Sequence, residues 1–226
     1  MLAYRYPIIA REGWAWIAVV AAAALLVQII LGWAALPLWG LTLLLLFLFR
    51  DPTRKIPSSP LAVVSPVDGR VVKVQVVRDG YLNRQAICVS IRMSLISVYS
   101  IHSPMEGKIV EQWLKVPRQI VVPGAGEPAE VDTYAQWLQS DEQDDVVLVV
   151  EGGSGSRPQC YAHSGERVGQ GQRCGFIRFG AQVDVLLPEN SRLEVKPGDK
   201  LLAGANIIAT LVHASVSPPQ VETATI

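Results

Sequence analysis

No charged residue occurs between Trp14 and Phe49, and this run of about 36 residues limits what the chain can become. A helix needs about 20 apolar residues to cross the hydrocarbon core of a bilayer. The run is too long for one crossing and tight for two. Gly32 and the Leu36-Pro37 pair supply a break, because proline removes a helix donor and suits the first turn of a new helix. The pattern predicts a helical hairpin within residues 1–50, with limbs from Trp14 to about Leu31 and from about Pro37 to Phe49. The second limb is short, which suits a re-entrant or interfacial segment as well as a full span. Basic residues flank both outer ends, Arg5 and Arg11 before, then Arg50, Arg54 and Lys55 after. A hairpin puts these flanks on one side, and the positive-inside rule makes that side cytoplasmic. Trp14, Trp16, Trp33 and Trp39 suit the membrane interface. A signal peptide fits poorly, since the run is too long and no small-residue cleavage site follows it.

Elsewhere the composition narrows the function. Twenty basic residues balance twenty acidic ones, so no excess charge argues for nucleic acid as a partner. Cys88, Cys160 and Cys174 lack metal-ligand spacing, and an odd count suits a reducing compartment. Each lies in or beside an apolar run and is expected as a buried thiol. No P-loop, dinucleotide fingerprint or zinc signature is present, and no metal site is expected.

The rest of the chain reads as mainly β. Residues 51–60 are polar and proline-rich, a linker; 61–214 form the β domain; 215–226 form a polar tail expected to be disordered. Ser65-Pro66-Val67-Asp68-Gly69-Arg70-Val71-Val72 recurs as Ser103-Pro104-Met105-Glu106-Gly107-Lys108-Ile109-Val110. Each copy reads as a turn feeding a strand. A second echo pairs Val168-Gly169-Gln170-Gly171 with Val195-Lys196-Pro197-Gly198. Two such pairs predict a pseudo-symmetric barrel-sandwich or β-sandwich. Val146 to Val150 reads as a buried strand. Glu130 to Glu142 carries Tyr134, Trp137 and Leu138 at helical spacing, which predicts one short helix.

Arg173 to Pro188 holds two apolar runs, Phe176–Phe179 and Val183–Leu187, joined at Gly180-Ala181 and closed by Pro188. Taken alone it is a kinked strand or tight hairpin. Gly175, Ile177, Phe179, Gly180, Val183, Asp184 and Pro188 also resemble the self-cleavage segment of the phosphatidylserine decarboxylase family, in its short, membrane-anchored form. Phe49-Arg50-Asp51-Pro52-Thr53-Arg54 and Ile56-Pro57 resemble that family's lead into its domain, and Ser65–Gly69 its S-P-x-D-G motif. One departure stands at the family's serine, which is Ala181 here.

The resemblance implies a fold, a reaction and a set of residues. The fold is a β domain behind an N-terminal transmembrane hairpin. The reaction is decarboxylation of phosphatidylserine to phosphatidylethanolamine, by a carboxy-lyase made as a proenzyme. In the family the serine hydroxyl attacks the preceding glycine carbonyl, and elimination leaves a pyruvoyl group that acts as the electron sink. Cleavage would fall at Gly180-Ala181, where alanine has no hydroxyl to attack or leave. The expectation is therefore no cofactor in this chain, no self-processing and no decarboxylation. Asp68 matches the aspartate of the family's self-cleavage triad, though it also reads as a turn aspartate. His102 falls where members carry a second histidine or an arginine, and could serve as a base or as a hydrogen-bonded turn histidine. Tyr99 stands at the family's first histidine and Ser97 at its aspartate; a tyrosine, titrating near 10, is a poor base at neutral pH. His163 and His213 read as surface or strand-end residues. Gly153-Ser154 and Gly155-Ser156 lie in a linker-like loop.

Three readings stay open. One is a family member of phospholipid biosynthesis with its serine replaced. Another is a natural non-catalytic relative that binds aminophospholipid or regulates an active homologue. The last is a membrane-anchored lipoyl- or biotinyl-like adaptor. The implied partners are the phospholipid membrane, phosphatidylserine, and a second copy or an active homologue, with no nucleic acid. The implied location is a bacterial or archaeal cell membrane, with the β domain on the cytoplasmic side.

Overall fold

The computed structural model describes residues 9–52, 54–59, 61–94, 97–120, 129–152, 158–177 and 181–212. The N-terminal run folds as a hairpin of helices α1 (Arg11–Leu31) and α2 (Leu36–Leu48), joined by a 3-10 turn over Gly32–Ala35. Gly32 takes a positive φ of 55° at the break, where a side chain would be strained. The hairpin closes at its base: the Ala10 amide donates to the Phe49 carbonyl at 2.8 Å, and Ile9 bridges Arg50. Gly13 is required there, because a Cβ would lie 2.4 Å from the Phe49 ring. The other buried positions of the hairpin, Ala24, Ala35 and Thr42, are also small, as close approach of apolar helices demands. Large side chains such as Ile29, Trp33 and Leu43 are exposed instead. The segment is long and apolar enough to cross a membrane. At about 1.5 Å per residue, α2 alone is about 20 Å long, short of a full crossing.

Beyond the linker come β1 (Ala62–Val64), β2 (Gly69–Asp79), β3 (Arg84–Met93), β4 (Ser100–His102), β5 (Gly107–Ile120), β6 (Ala129–Gln139) and β7 (Asp145–Glu151). They are followed by β8 (Gln159–Cys160), β9 (Arg167–Val168), β10 (Arg173–Phe176), β11 (Gln182–Pro188), β12 (Arg192–Leu193), β13 (Lys200–Leu201) and β14 (Ile207–Thr210). An eight-stranded antiparallel sheet has the order β13-β2-β3-β11-β7-β6-β5-β9. Two three-stranded sheets, β1-β14-β12 and β4-β10-β8, complete the curled domain. The main core lies on one face of the large sheet, around Ile91, Ile109, Leu138, Leu148, Phe176 and Leu187. A smaller apolar cluster of Ala86, Cys88, Ala135, Val147, Val149 and Leu186 lies on its other face.

The repeat seen in the sequence is a structural two-fold. Ser65 Oγ donates to the Val67 carbonyl at 2.8 Å, and Ser103 Oγ to the Met105 carbonyl at the same distance. The Ser65 carbonyl accepts the Gly204 amide, and the Ser103 carbonyl accepts that of Gly171. Both glycines have φ of 68°. The partner of Val168–Gly171 is thus Leu201–Gly204, and not Val195–Gly198 as the sequence spacing suggested. Turn sequence follows the glycine spacing; the fold follows which glycine caps the serine.

Another expectation is corrected. Residues 129–139 form strand β6, not a helix, hydrogen-bonded between β5 and β7. Tyr134 and Leu138 face the main core, and Trp137 packs on the second cluster. Aromatic and β-branched residues satisfy a pleated surface as readily as a helical stripe. Val146–Val150 lies within strand β7 as expected, buried throughout. Cys88 and Cys174 are buried free thiols, but Cys160 is only half-buried.

Candidate functional site

The loops between the hairpin and the β domain converge on one polar cluster. Arg54, in the linker, grips both oxygens of Asp68, with its Nη2 2.7 Å from Oδ2. Asp68 Oδ1 also accepts the Ala203 amide at 2.7 Å. The aspartate at the head of β2 therefore does more than close its own turn: it ties the linker to the 201–204 turn. His102 sits at the end of β4, its amide donating to Pro66 and its ring beside Gly204. The structure thus brings Asp68 and His102 to the same turn. Nδ1 of His102 is buried and has no hydrogen-bond partner among the described residues. Burial lowers its pKa, and Arg54 and Arg173 reinforce that; Asp51 and Asp68 oppose it. The imidazole is held neutral at pH 7, the form that accepts a proton.

A second ion cluster adjoins the first. Arg173, at the start of β10, is buried and pairs with Glu12 of α1 at 2.9 Å and with Asp51 at 3.5 Å. Tyr161 hydroxyl donates to Glu12, and Ser100 hydroxyl donates to Asp51 at 2.7 Å. Arg173 also lies 5.3 Å from the Tyr161 ring centre. Glu12, Asp51, Arg54, Tyr161 and Arg173 are not singled out as site residues by the sequence. The signal was available in part, since Asp51 and Arg54 fall inside the Phe49–Arg54 motif. Glu12, an acid in the first turn of an apolar helix, reads only as a favourable helix-dipole residue.

Tyr99 immediately precedes β4, and Ala181 heads β11, beside Met93 of β3. The Tyr99 carbonyl accepts the Ile177 amide, whereas His102 is opposite Arg173. At about 3.3 Å per residue, His102 and Tyr99 are about 10 Å apart along the strand. Tyr99 is buried in an aromatic triangle with Phe49 and Phe176, whose ring centres lie 6.1 to 6.4 Å apart. Burial raises its pKa further, so it has no use as a base. Ser97 Oγ donates to the Ser94 carbonyl at 2.6 Å. Ala181 is buried at the head of β11, and its carbonyl accepts the Met93 amide at 2.9 Å. Gly180 lies outside the described residues, as do His213 and the Gly153-Ser154 and Gly155-Ser156 bonds. His163 is exposed, as expected.

Cys160 accepts or donates a 2.8 Å contact with the Tyr134 hydroxyl. Burial raises the pKa of both groups, so the thiol stays protonated and is not a nucleophile at neutral pH. No cluster of three potential metal ligands occurs among the described residues.

A family profile described as phosphatidylserine decarboxylase matches residues 41–209 of the chain. The chain belongs to the phosphatidylserine decarboxylase family. It is 43% identical to the phosphatidylserine decarboxylase proenzyme of Nitrosomonas eutropha, over 91% of this chain and 96% of that one. It is 40% identical to the namesake proenzyme of Aromatoleum aromaticum, over 92% of this chain and 98% of that one. No solved structure matches the chain. Membership in the phosphatidylserine decarboxylase family corrects the expectation of no cofactor: the family is the pyruvoyl-dependent one, and these relatives are named proenzymes. The residue at the position that resembles the precursor serine does not fit as a source of that group. Ala181 presents a buried methyl where an oxygen is needed.

Proposed function

We propose that the chain is a membrane-anchored member of phospholipid metabolism, built for the decarboxylation of phosphatidylserine and held as an uncut proenzyme at residues 180–181. The observation that carries this reading is Ala181, within a chain over 40% identical to a named proenzyme along nine-tenths of its length. Self-cleavage transfers the acyl group of residue 180 from nitrogen to a β-oxygen, then breaks the bond from that oxygen to the β-carbon. Alanine offers neither bond. Asp68 is oriented by Arg54, and His102 is a neutral imidazole. The domain lies on the cytoplasmic side, as the basic residues at both ends of the hairpin imply.

A second reading is a natural non-catalytic relative that binds aminophospholipid. The packing of Tyr99 favours it, because this departure is absorbed into an aromatic triangle rather than left in a polar site. Intact mass of the purified chain beside an Ala181→Ser variant separates the two. Splitting of the variant between residues 180 and 181, with the parent whole, supports the proenzyme reading. A variant that stays whole favours the non-catalytic relative. Cleavage of the parent at that bond would overturn both.

A further inference from the structure

Three cations stand in one row across neighbouring strands. Arg70 of β2 is directly opposite Lys200 of β13 on one side and Arg92 of β3 on the other. Directly opposed residues in antiparallel strands share a face, about 5 Å apart. Lys73, past a bulge at Val72, faces Ser90 on the same side. All four cations are exposed. None of them forms an ion pair or hydrogen bond to another side chain among the described residues, while Arg54, Arg84, Arg167 and Arg173 all do. Beyond Arg92 the row continues to Gln182 and Glu151. The acids that follow on these strands are buried and engaged: Asp184 takes a hydrogen bond from Gln182, and Glu151 has its own partner; Asp199, beside Lys200, takes the Lys196 amide. Like charges directly opposed destabilise a sheet. An anion from outside would offset the unneutralised row.

The row's place says which anion. It crosses the sheet at the end formed by Gly69, Met93 and Ala181. Arg70 follows by two residues the Asp68 that Arg54 grips, and Arg54 lies six residues past the end of α2. Six residues reach at most about 21 Å. Two apolar side chains flank the cations, Val72 at 44% exposure and Leu202 at 50%. Basic residues interleaved with exposed aliphatic ones match the headgroup zone of an anionic bilayer. We propose that Lys200, Arg70, Arg92 and Lys73 form a contact surface for anionic phospholipid headgroups, which seats this end of the domain on the membrane that holds its hairpin. The inference rests on residues 11–48 as the anchor, but not on any decarboxylase activity.

The test uses the full chain in nanodiscs of neutral phosphatidylcholine and of phosphatidylcholine with phosphatidylglycerol. Lysines are acetylated with an uncharged reagent, and the rates at Lys73 and Lys200 are read by mass spectrometry against exposed Lys108 as internal reference. The expected result is a slowing of several-fold at Lys73 and Lys200 in anionic discs only. High salt and the Arg70→Gln/Arg92→Gln variant should reverse it, since surface potentials are screened within a Debye length. Equal rates in both lipids overturn the proposal. So does the same protection from inorganic phosphate in neutral discs, which would make the row a site for soluble anions. Co-elution with the discs reports the anchor separately: a chain that leaves them overturns the anchor and the proposal together.

Discussion

Arg54 holds Asp68 by a two-point ion pair across fourteen residues of chain, so the linker leaving the hairpin is fastened to the first turn of the β domain. The Asp68 side chain is only 12% exposed and that of Arg54 19%. Removing Arg54 leaves a nearly buried carboxylate with the Ala203 amide as its remaining partner. Arg54→Ala is expected to destabilise the chain by about 3 kcal/mol, the low end for breaking a buried pair, because both side chains keep some exposure. Thermal unfolding in detergent checks this; a shift too small to measure would show the pair to be solvated.

Arg173 neutralises Glu12 of the hairpin and Asp51 of the linker at once. Arg173→Met leaves the two carboxylates uncompensated, and a loss of about 3 kcal/mol is expected. Glu12→Gln should cost much less in that background than in the parent. A double-mutant cycle measures this coupling directly, and additive effects would mean that the hairpin and domain are not linked here.

His102 predicts a pH dependence with a definite sign. Its folded pKa is below the ordinary 6.5, because burial, Arg54 and Arg173 outweigh Asp51 and Asp68. The unfolded chain therefore binds the proton more readily. Stability is unaffected above about pH 6.5, falls as pH drops below it, and levels off below the folded pKa. The steepest slope for one proton is about 1.4 kcal/mol per pH unit. His102→Gln should flatten the melting temperature between pH 5 and 6.5. A parent and variant with parallel profiles would place the titration elsewhere.

Gly13 lets α1 touch Phe49, and Gly13→Leu is expected to force the base of the hairpin apart. Overpacking of this kind costs about 1–3 kcal/mol. Because Phe49 also stacks on Phe176 and meets Tyr99 edge-on, limited proteolysis within residues 51–59 should speed up. Unchanged digestion would show that the hairpin base tolerates the larger side chain.

Much of the architecture was legible because it is written in short-range signals. The uncharged run, the break at Gly32 and the paired Ser-Pro turns each specify local geometry, and the hairpin and two-fold follow. Residues 129–139 were misread because Tyr134, Trp137 and Leu138 fit a helical stripe as well as a strand with aromatic residues on both faces. Of the polar cluster, Asp68 and His102 are visible in the sequence through their motifs. Glu12, Tyr161 and Arg173 are not, because what joins them is tertiary: 161 residues separate Glu12 from Arg173. Nor does any local pattern reveal that Arg70 faces both Arg92 and Lys200.

The position of β11 carries a consequence for a severed backbone. It is the middle seam of the large sheet, stitched to β3 along one edge and to β7 along the other. The strands after it are stitched likewise, β13 to β2 and β14 to β1. A nick just ahead of Ala181 would leave a C-terminal piece sewn into its neighbour at three separate places. The two pieces would stay together as one particle, and only a denaturing separation would reveal that the covalent thread had parted.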